Sequence, residues 1–452
     1  MHLELAIDHQ SPDDWLAGGL LAFATGDTSL AERLFDQAAA KGVDISSYLV
    51  NLASASFSRA VGLLEEEKFN EAVDALEQIR EKYETTSWFE SNKSGFDAAL
   101  AAAKDGAFQA EAESLYQQAV ALLEQKELFD LRDVVEKLKE RYAESLVVKD
   151  GEREPAFDEM EEAVADLGAK IVVRLDGKGQ FTSIQAAIDS AQPNSLIEMH
   201  DNGPYNEKIV VPAQISGLSI RGAEGCWPMV TSLGPNRDID TLVTIKAPRT
   251  RFERLALVHA APFGDEIRCI RNESEFALCR SAVLMDGTGL ALESGGTFKW
   301  EVRDCLVIGK TSLLNEGAGT FANSLLFAKG HGSFYISARS ELRYCTIAFR
   351  VIPRAPGLVE NSIIMGLNIR EPGVRIDNCN VFGSDPLIGM AKPATDCSTA
   401  NPQFLDPKNL DYRLAETSPC KGKASDGGDL GVRYTPEMME MVQIALKLRA
   451  QG

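Results

Sequence analysis

A five-residue pattern, usually with Ser or Cys in second place, recurs in the second half of the chain and constrains the fold more than any other feature. The copies are RLALV (254–258), RSAVL (280–284), DCLVI (304–308), NSLLF (323–327), YCTIA (344–348), NSIIM (361–365) and NCNVF (378–382). We call their second positions the Ser/Cys ladder: Leu255, Ser281, Cys305, Ser324, Cys345, Ser362 and Cys379. The ladder positions are 26, 24, 19, 21, 17 and 17 residues apart, which predicts one turn of a parallel β-helix per copy.

Stacking explains why the same side chains return at each copy. Each coil places a given position about 4.8 Å above its predecessor, so small Ser and Cys side chains fit an inward corner. We expect three asparagines at this corner to bond between neighbouring coils: Asn323, Asn361 and Asn378.

The cysteines and histidines do not form a metal-binding pattern. All eight cysteines lie in the second half without a C-x-x-C pair, and the five histidines are scattered. Zinc sites need closely spaced ligands, and no aspartate cluster indicates calcium, so we predict no metal and no cofactor. Cys305 and Cys345 would lie two coils apart, about 10 Å, too far for a disulfide, and we expect the ladder cysteines to be reduced.

The first half of the chain is predicted to form helical hairpins. Residues 60–83 recur 59 residues later, at 119–142, and apolar positions three and four apart predict a helix pair in each copy. An earlier unit, residues 15–42, has small and aromatic residues at helix contacts and resembles a tetratricopeptide repeat. We therefore predict a helical repeat domain over residues 1–145.

Two roles are open for this helical domain. Its concave surface would bind a peptide or another domain, or its helices only pack against the second domain or a partner. Residues 1–170 contain 36 acidic and 16 basic side chains, within a net charge of −21, so nucleic acid is not a predicted partner. Residues 146–168 predict a linker followed by a helix that caps the next domain.

Residues 176–191, DGKGQFTSIQAAIDSA, open the second domain. Together with residues 203–207, GPYNE, they resemble the pectinesterase branch of the pectin-lyase-like β-helices, and the similarity extends over roughly 171–320. The resemblance implies a right-handed, single-stranded parallel β-helix over residues 169–434, and therefore a multidomain protein with an α-helical and an all-β part. One helical face predicts a plug for the open end of the solenoid: Ile184, Ala187, Ile188 and Ala191.

The catalytic residues of that family are not matched. The resemblance would place Q-D-T-L where this chain has 287–290, GTGL, and D-F-I-F-G where it has 312–316, SLLNE. Thr288 and Ser312 thus stand near the positions of the two catalytic aspartates. A hydroxyl cannot do the proton work of a carboxylate near neutral pH without a nearby base. We predict no catalytic residue here, and a β-helix protein that binds carbohydrate or a protein partner.

The first alternative is a carbohydrate-active enzyme, that is a glycoside hydrolase, lyase or esterase, with a rearranged site on the β-helix face. Alignment on the Ser/Cys ladder places five candidate ligand-binding residues near one exposed strip: Glu293, Glu316, His331, Arg354 and Arg370. Two glutamates about 5 Å apart on adjacent coils would suit a retaining glycosidase. Solvated surface charge is the other interpretation of this strip.

Arginine dominates the basic residues of this half, with 15 Arg and 4 Lys between residues 221 and 375. Guanidinium groups in register on successive coils would hold the carboxylates of an acidic polysaccharide. The alternative is a ladder in which Arg alternates with Glu and Asp.

The end of the chain closes the predicted β-helix. Residues 400–434 resemble the terminal segment of bacterial surface β-helix proteins and predict turns with one or two strands, and residues 435–452 predict a helix that covers residual core. We see no export signal and no membrane-spanning run, although the resemblance implies an extracytoplasmic location if the chain is part of a longer protein. A second alternative is the carboxy-terminal interaction region of a larger bacterial signalling protein.

Overall fold

The protein folds into two compact units, Met1–Asp166 and Leu167–Gly452, which we call the helical unit and the β unit. No helix in the described part of the chain is both long and apolar enough to cross a membrane. The computed structural model describes residues 11–232, 240–260, 267–286, 290–294, 298–312, 318–327, 333–336, 339–348, 350–353, 357–366, 374–382 and 396–451.

The helical unit is built from helices that pack mainly on their neighbours in sequence. Its helices are α1 (Pro12–Ala24), α2 (Thr28–Ala40), α3 (Ser46–Glu65), α4 (Phe69–Tyr83), α5 (Ser87–Gln125), α6 (Leu128–Arg141), α7 (Leu146–Lys149) and α8 (Phe157–Ala165). The helix predicted within 146–168 is α8, which packs against α6 inside this unit.

The 59-residue repeat is visible in the turns between the helices. Glu67, between α3 and α4, and Lys126, between α5 and α6, both adopt a left-handed backbone, with φ of 58° and 60°. The next amide in each copy, that of Lys68 or Glu127, donates 2.9 Å to a carbonyl five residues earlier. This confirms the predicted helix pairs, while the assignment to tetratricopeptide repeats stays a prediction.

In its described residues, the β unit contains three long parallel sheets and one short antiparallel pair. Sheet A contains, in pairing order, β1 (Lys170–Val173), β2 (Leu196–Met199), β4 (Ser219–Gly222), β7 (Thr250–Glu253), β10 (Phe276–Cys279), β13 (Trp300–Arg303), β16 (Gly319–Ala322), β19 (Glu341–Arg343), β22 (Gly357–Glu360) and β24 (Val374–Asp377). Sheet B contains β5 (Met229–Thr231), β8 (Ala256–Ala260), β11 (Ala282–Asp286), β14 (Leu306–Ile308), β17 (Leu325–Phe327), β20 (Thr346–Ile347), β23 (Ile363–Ile364) and β25 (Asn380–Val381). Sheet C contains β3 (Ile209–Val211), β6 (Thr241–Ile245), β9 (Arg268–Asn272), β12 (Leu290–Ser294), β15 (Lys310–Ser312), β18 (Ser333–Ile336) and β21 (Arg350–Pro353). The antiparallel pair consists of β26 (Phe404–Asp406) and β27 (Asp411–Leu414).

From β4 to β21, each coil contributes one strand to each sheet, so strands that are neighbours in a sheet are about one coil apart in sequence. In sheet A, Phe252 pairs with Leu278 and Leu278 with Val302, and all three side chains are buried in the core. This strand order and register define a parallel β-helix and confirm the predicted fold class.

The Ser/Cys ladder occupies the corner between sheets A and B. The residue before each ladder position is left-handed and forms a tight turn between two strands, a conformation that Asn and Asp tolerate better than most side chains. These corner residues have φ between 42° and 55°: Arg254, Arg280, Asp304, Asn323, Tyr344, Asn361 and Asn378.

Ladder side chains satisfy the amides of the corner. The N–H of Cys305 donates to Ser324 Oγ at 3.2 Å, and the N–H of Cys345 donates to Ser362 Oγ at 3.0 Å. Each bond joins one coil to the next and pairs a buried amide, which explains why Ser and Cys recur at this position. The predicted asparagine link between coils is confirmed for Asn378, whose amide donates to Asn361 Oδ1 at 2.9 Å.

Helices close the β unit on two sides. The predicted plug is helix α9 (Ile184–Ser190), whose Ile184, Ala187 and Ile188 are fully buried in the core. The last helix, α10 (Pro436–Gln451), packs Met438, Met441 and its other apolar residues against the outer face of sheet B. Both helices therefore have the covering roles predicted for them.

Candidate ligand-binding site

The predicted charged strip lies only in part within the described residues. Glu293 lies in β12 of sheet C, and the backbone of Ser312 lies in β15. The other predicted site residues lie outside the described residues: Thr288, Glu316, His331, Arg354 and Arg370.

Arginine side chains lie next to the carboxylate of Glu293. Its carboxylate accepts a hydrogen bond from Arg268 Nε and lies 3.9 Å from Arg271 Nε, while Arg271 also pairs with Glu273 at 3.0 Å. In register, Glu293 faces Arg271 on one coil and Ser312 on the next. The two neighbours of Glu293 in this row are thus an arginine and a serine position, and its Oε2 atom is engaged by the guanidinium group of Arg268.

A groove lies on the outer face of sheet A, across five consecutive strands from β7 to β19, and encloses about 670 Å³. Small side chains such as Ala277 and Thr320 form its floor, since they alternate in register with the larger Arg251, Glu301 and Glu341. Its lining residues are Arg249, Thr250, Arg251, Glu275, Phe276, Ala277, Lys299, Trp300, Glu301, Arg303, Ala318, Gly319, Thr320, Arg339 and Glu341.

Trp300 and Gly319 shape the middle of the groove. They pair in register on adjacent coils, and the Trp300 indole occupies the space that a Cβ at residue 319 would need. The indole also makes an edge contact with Phe321, at 4.6 Å between ring centroids. Glycine at 319 therefore allows the buried indole to lie against the next coil.

Most charged side chains on this face alternate and pair. Arg251 contacts Glu253 at 3.2 Å, Arg343 contacts Glu341 at 3.0 Å, and Arg303 pairs with Glu301. The structure thus favours the interleaved arrangement of Arg with Glu and Asp for the greater part of the sheet.

One edge of the groove differs from this pattern. We define the edge row as the position two residues before the Arg251 row on each coil: Arg249, Glu275, Lys299, Ala318 and Arg339. Among the described residues, Lys299, Arg339 and Glu275 make no ion pair, and Arg249 bonds to Ser216 Oγ at 3.1 Å. All four charged members are exposed. The edge row therefore presents three cations and one carboxylate to solvent.

The edge row is not among the site residues predicted from the sequence, although the sequence contains a pattern that indicates it. Each member stands six residues before a ladder position, as Arg249 does before Leu255 and Lys299 before Cys305. The offset is constant because these five coils pair in register without a shift between the row and the ladder. Counting six residues back from each ladder position therefore identifies the members of the edge row.

A buried charge cluster lies on the same sheet, outside the groove. Glu198 contacts Arg221 at 2.9 Å, Lys170 at 3.1 Å and His200 at 2.7 Å. Burial acts to raise the pKa of Glu198, but hydrogen bonds from Arg221, Lys170 and His200 outweigh it and lower this pKa. With Glu198 and Arg221 almost fully buried, the cluster is a structural one.

Within the described ranges, no group of three or more His, Cys, Asp or Glu side chains could hold a metal ion. Ser232 and His259 form a hydrogen-bonded pair between Oγ and Nδ1, but both side chains are buried in the core. This pair therefore presents no surface to a polymer.

No family model matches the sequence, and no curated protein matches it significantly. Its structural neighbours include pectin methylesterases and a pectate lyase. The pectin methylesterase from carrot is 13% identical, with a TM-score of 0.37 over 54% of this chain and 97% of that chain. Pectate lyase Pel9A is 11% identical, with a TM-score of 0.38 over 59% and 96%. The pectin methylesterase from Aspergillus niger is 12% identical, with a TM-score of 0.33 over 52% and 92%. At such low similarity, the fold is assigned from the strand register of this chain itself.

Proposed function

We propose that this protein binds an anionic polysaccharide in the groove of sheet A without transforming it. The observation that carries the proposal is the edge row, where Arg249, Lys299 and Arg339 face solvent without a carboxylate partner among the described residues. Guanidinium and ammonium groups bind carboxylate or sulfate groups through charge-assisted hydrogen bonds.

The shape of the groove suits an extended chain. It crosses five coils, so its length is about 19 Å at the usual strand spacing. Arg249, Lys299 and Arg339 stand on alternate coils, about 10 Å from one to the next. A polymer with regularly repeated anionic groups would meet these cations one after another.

The lining favours sugar over a protein partner. Eight of the lining residues are charged, whereas the centres of protein interfaces are depleted in charged side chains and enriched in aromatic ones. Alternating guanidinium and carboxylate groups supply the donors and acceptors that sugar hydroxyls need.

The arrangement of carboxylates supports binding without catalysis. Glycoside hydrolysis generally needs two carboxyl groups that face the same bond. In the described groove, Glu301 and Glu341 are held by arginines, which leaves Glu275 alone. On sheet C, Glu293 is engaged by Arg268 and has Ser312 beside it in register.

The test is a binding and turnover panel on the full chain. Isothermal titration calorimetry should show binding of polygalacturonate or a sulfated polysaccharide, with weak or no binding of neutral dextran. The same mixtures are assayed for reducing ends, unsaturated products and released methanol, and none should accumulate. Turnover that disappears in Glu293→Gln or Glu275→Gln would establish an enzyme instead. Failure of every polysaccharide to bind would leave a protein partner.

A further inference from the structure

We propose that Cys379 and Cys397 form an oxidation-sensitive thiol pair at the end of the Ser/Cys ladder. The inference is independent of the proposed polysaccharide binding. In the structure, Cys397 continues the ladder by one position, because the Cys379 N–H donates to Cys397 Sγ at 3.3 Å, as other ladder amides donate to Ser.

The alternation of the ladder breaks at this pair. From Ser281 onward, Ser and Cys alternate, so every earlier ladder cysteine has a serine on both adjacent coils. Cys379 has Ser362 on one side and Cys397 on the other. The ladder positions, extended by the structure, are Leu255, Ser281, Cys305, Ser324, Cys345, Ser362, Cys379 and Cys397.

The two residues lie on adjacent coils in register. Asn380 and Ser398, the residues that follow them, form a parallel bridge, and the Ser398 N–H donates to the Cys379 carbonyl at 2.9 Å. Adjacent parallel strands place paired Cα atoms about 4.8 Å apart, within the about 4.4–6.8 Å that a disulfide spans. Both side chains pack on the core of the solenoid. The sulfurs can therefore approach each other without a rearrangement of the coils.

The environments of Cys397 and Cys379 suit two different roles in the oxidation. Cys397 is half-buried, so a small oxidant can reach it, whereas Cys379 is fully buried. A hydrogen bond from the Cys379 thiol lowers the pKa of Cys397 to about 7, despite its partial burial, and the Cys379 N–H contributes to this. Burial raises the pKa of Cys379, so Cys397 is the thiolate that reacts first.

The reaction balances with hydrogen peroxide as the oxidant. The Cys397 thiolate attacks one peroxide oxygen, the O–O bond breaks, and Cys397 becomes a sulfenic acid while hydroxide leaves and is protonated to water. The Cys379 sulfur then attacks the Cys397 sulfur, the S–O bond breaks, and a second water leaves with the Cys379 proton. Two thiols and one peroxide thus give one disulfide and two waters.

The expected consequence is a more stable end of the β-helix. The disulfide would link Cys379 to Cys397 across the segment 380–396 and reduce the conformational freedom of the unfolded chain. The thermal midpoint of the oxidised protein should rise by a few degrees.

Non-reducing peptide mapping tests the proposal. The full chain is treated with hydrogen peroxide under native conditions, the remaining thiols are alkylated in denaturant, and the digest is analysed by mass spectrometry. We expect a linked peptide pair that contains Cys379 and Cys397, lighter than the separate peptides by two hydrogens. Oxidation of Cys397 to sulfinic acid without this link, full alkylation of both cysteines, or a link that joins Cys397 to another residue would each overturn the proposal.

Two variants distinguish oxidation of the Cys379–Cys397 pair from general oxidation of the thiols of the protein. Cys397→Ser should abolish the link and leave Cys379 reduced, and it should fold because Ser occupies this position on other coils. Cys226→Ser removes another partly exposed thiol and should leave the link unchanged. Loss of the link in Cys226→Ser would count against the assignment.

Discussion

The hydroxyl of Ser324 accepts the N–H of Cys305 from the neighbouring coil at 3.2 Å and donates to the Ala322 carbonyl at 2.8 Å. Both partners lie at a buried corner. Ser324→Ala should therefore lower the free energy of unfolding by about 1–3 kcal/mol, because the amide loses its acceptor. Ser324→Cys, which imitates the next ladder position, should lose less. Guanidinium unfolding curves measure both variants, and equal stability of Ala and wild type would contradict a role for the ladder bond.

Gly319→Ala should destabilise the β unit. A methyl group at this position meets the Trp300 indole, which is held by the core, so overpacking should lower the free energy of unfolding by about 1–3 kcal/mol. Gly95→Ala is the matched control in α5, where an added Cβ meets nothing within 4 Å. That control should stabilise the helix by about 0.5–1 kcal/mol. Thermal unfolding measured for both variants should thus show shifts of opposite sign.

Glu198→Gln should lower the free energy of unfolding and should also weaken its dependence on pH in the acid range. The pKa of Glu198 in the folded state lies below the ordinary 4.5, so its contribution is fully present above that value and is lost as the pH falls through the folded pKa. Above pH 4.5, removal of this buried partner of Arg221 should lower stability by up to about 3–5 kcal/mol. Unfolding midpoints measured from neutral to acid pH should converge for wild type and variant as Glu198 is protonated. A constant difference at every pH would contradict this role.

Cys397 should be alkylated far faster than the buried ladder cysteines at neutral pH. Its pKa is lowered to about 7 by the Cys379 thiol, whereas burial raises the pKa of Cys345 to about 12. The nearby carboxylates of Asp377 and Asp396 act in the opposite direction on Cys397. The rate of iodoacetamide labelling at Cys397 should therefore rise through a midpoint near pH 7. Cys379→Ser keeps a hydrogen-bond donor and should keep a low midpoint, whereas Cys379→Ala should move it towards 9.0.

The edge row should control affinity for an anionic polymer. Lys299→Gln and Arg339→Gln should each weaken binding about 3–10-fold, because a charge-assisted contact of about 0.7–1.4 kcal/mol is lost. Glu275→Gln should strengthen binding, since it removes the carboxylate of the row. All three effects should shrink as salt is added, because exposed charges are screened.

The matched control for the edge row is Lys408→Gln, an exposed lysine outside the groove. Calorimetric titration with polygalacturonate compares the four variants. Unchanged affinity in Lys299→Gln and Arg339→Gln, or the same loss in Lys408→Gln, would place the binding elsewhere.

Much of the fold follows from periodicity in the sequence. The Ser/Cys ladder predicted a stack of coils because a parallel β-helix returns the same position to the same corner, and Ser324, Cys345 and Ser362 occupy that corner. The 59-residue repeat predicted helix pairs because apolar side chains every three or four residues must share a face. These patterns are local, and the backbone geometry of helix and strand is sufficient to interpret them.

The geometry of the candidate site could be predicted from the sequence to a lesser extent than the fold. In the alternative of a rearranged catalytic site, Glu293 would lie beside a second glutamate on the next coil, which requires Glu316, a residue outside the described ranges. In the described register, Glu293 lies beside Ser312 on the next coil, and Arg268 engages its carboxylate. A shift of one residue in a strand reverses the direction of every side chain, so alignment of coils alone could not decide this.

What the sequence determined by itself is the architecture: a helical part, a stack of β coils, and small polar side chains at one corner, because each depends on spacing along the chain. Only the tertiary structure decided which charges remain available to a ligand. Arg303 and Lys299 lie four residues apart on one coil, yet Glu301 pairs with Arg303, whereas Lys299 has no carboxylate partner among the described residues. Whether a charge is paired depends on distances of a few ångströms between side chains on the strand and in the turn before it, and the sequence does not give those distances.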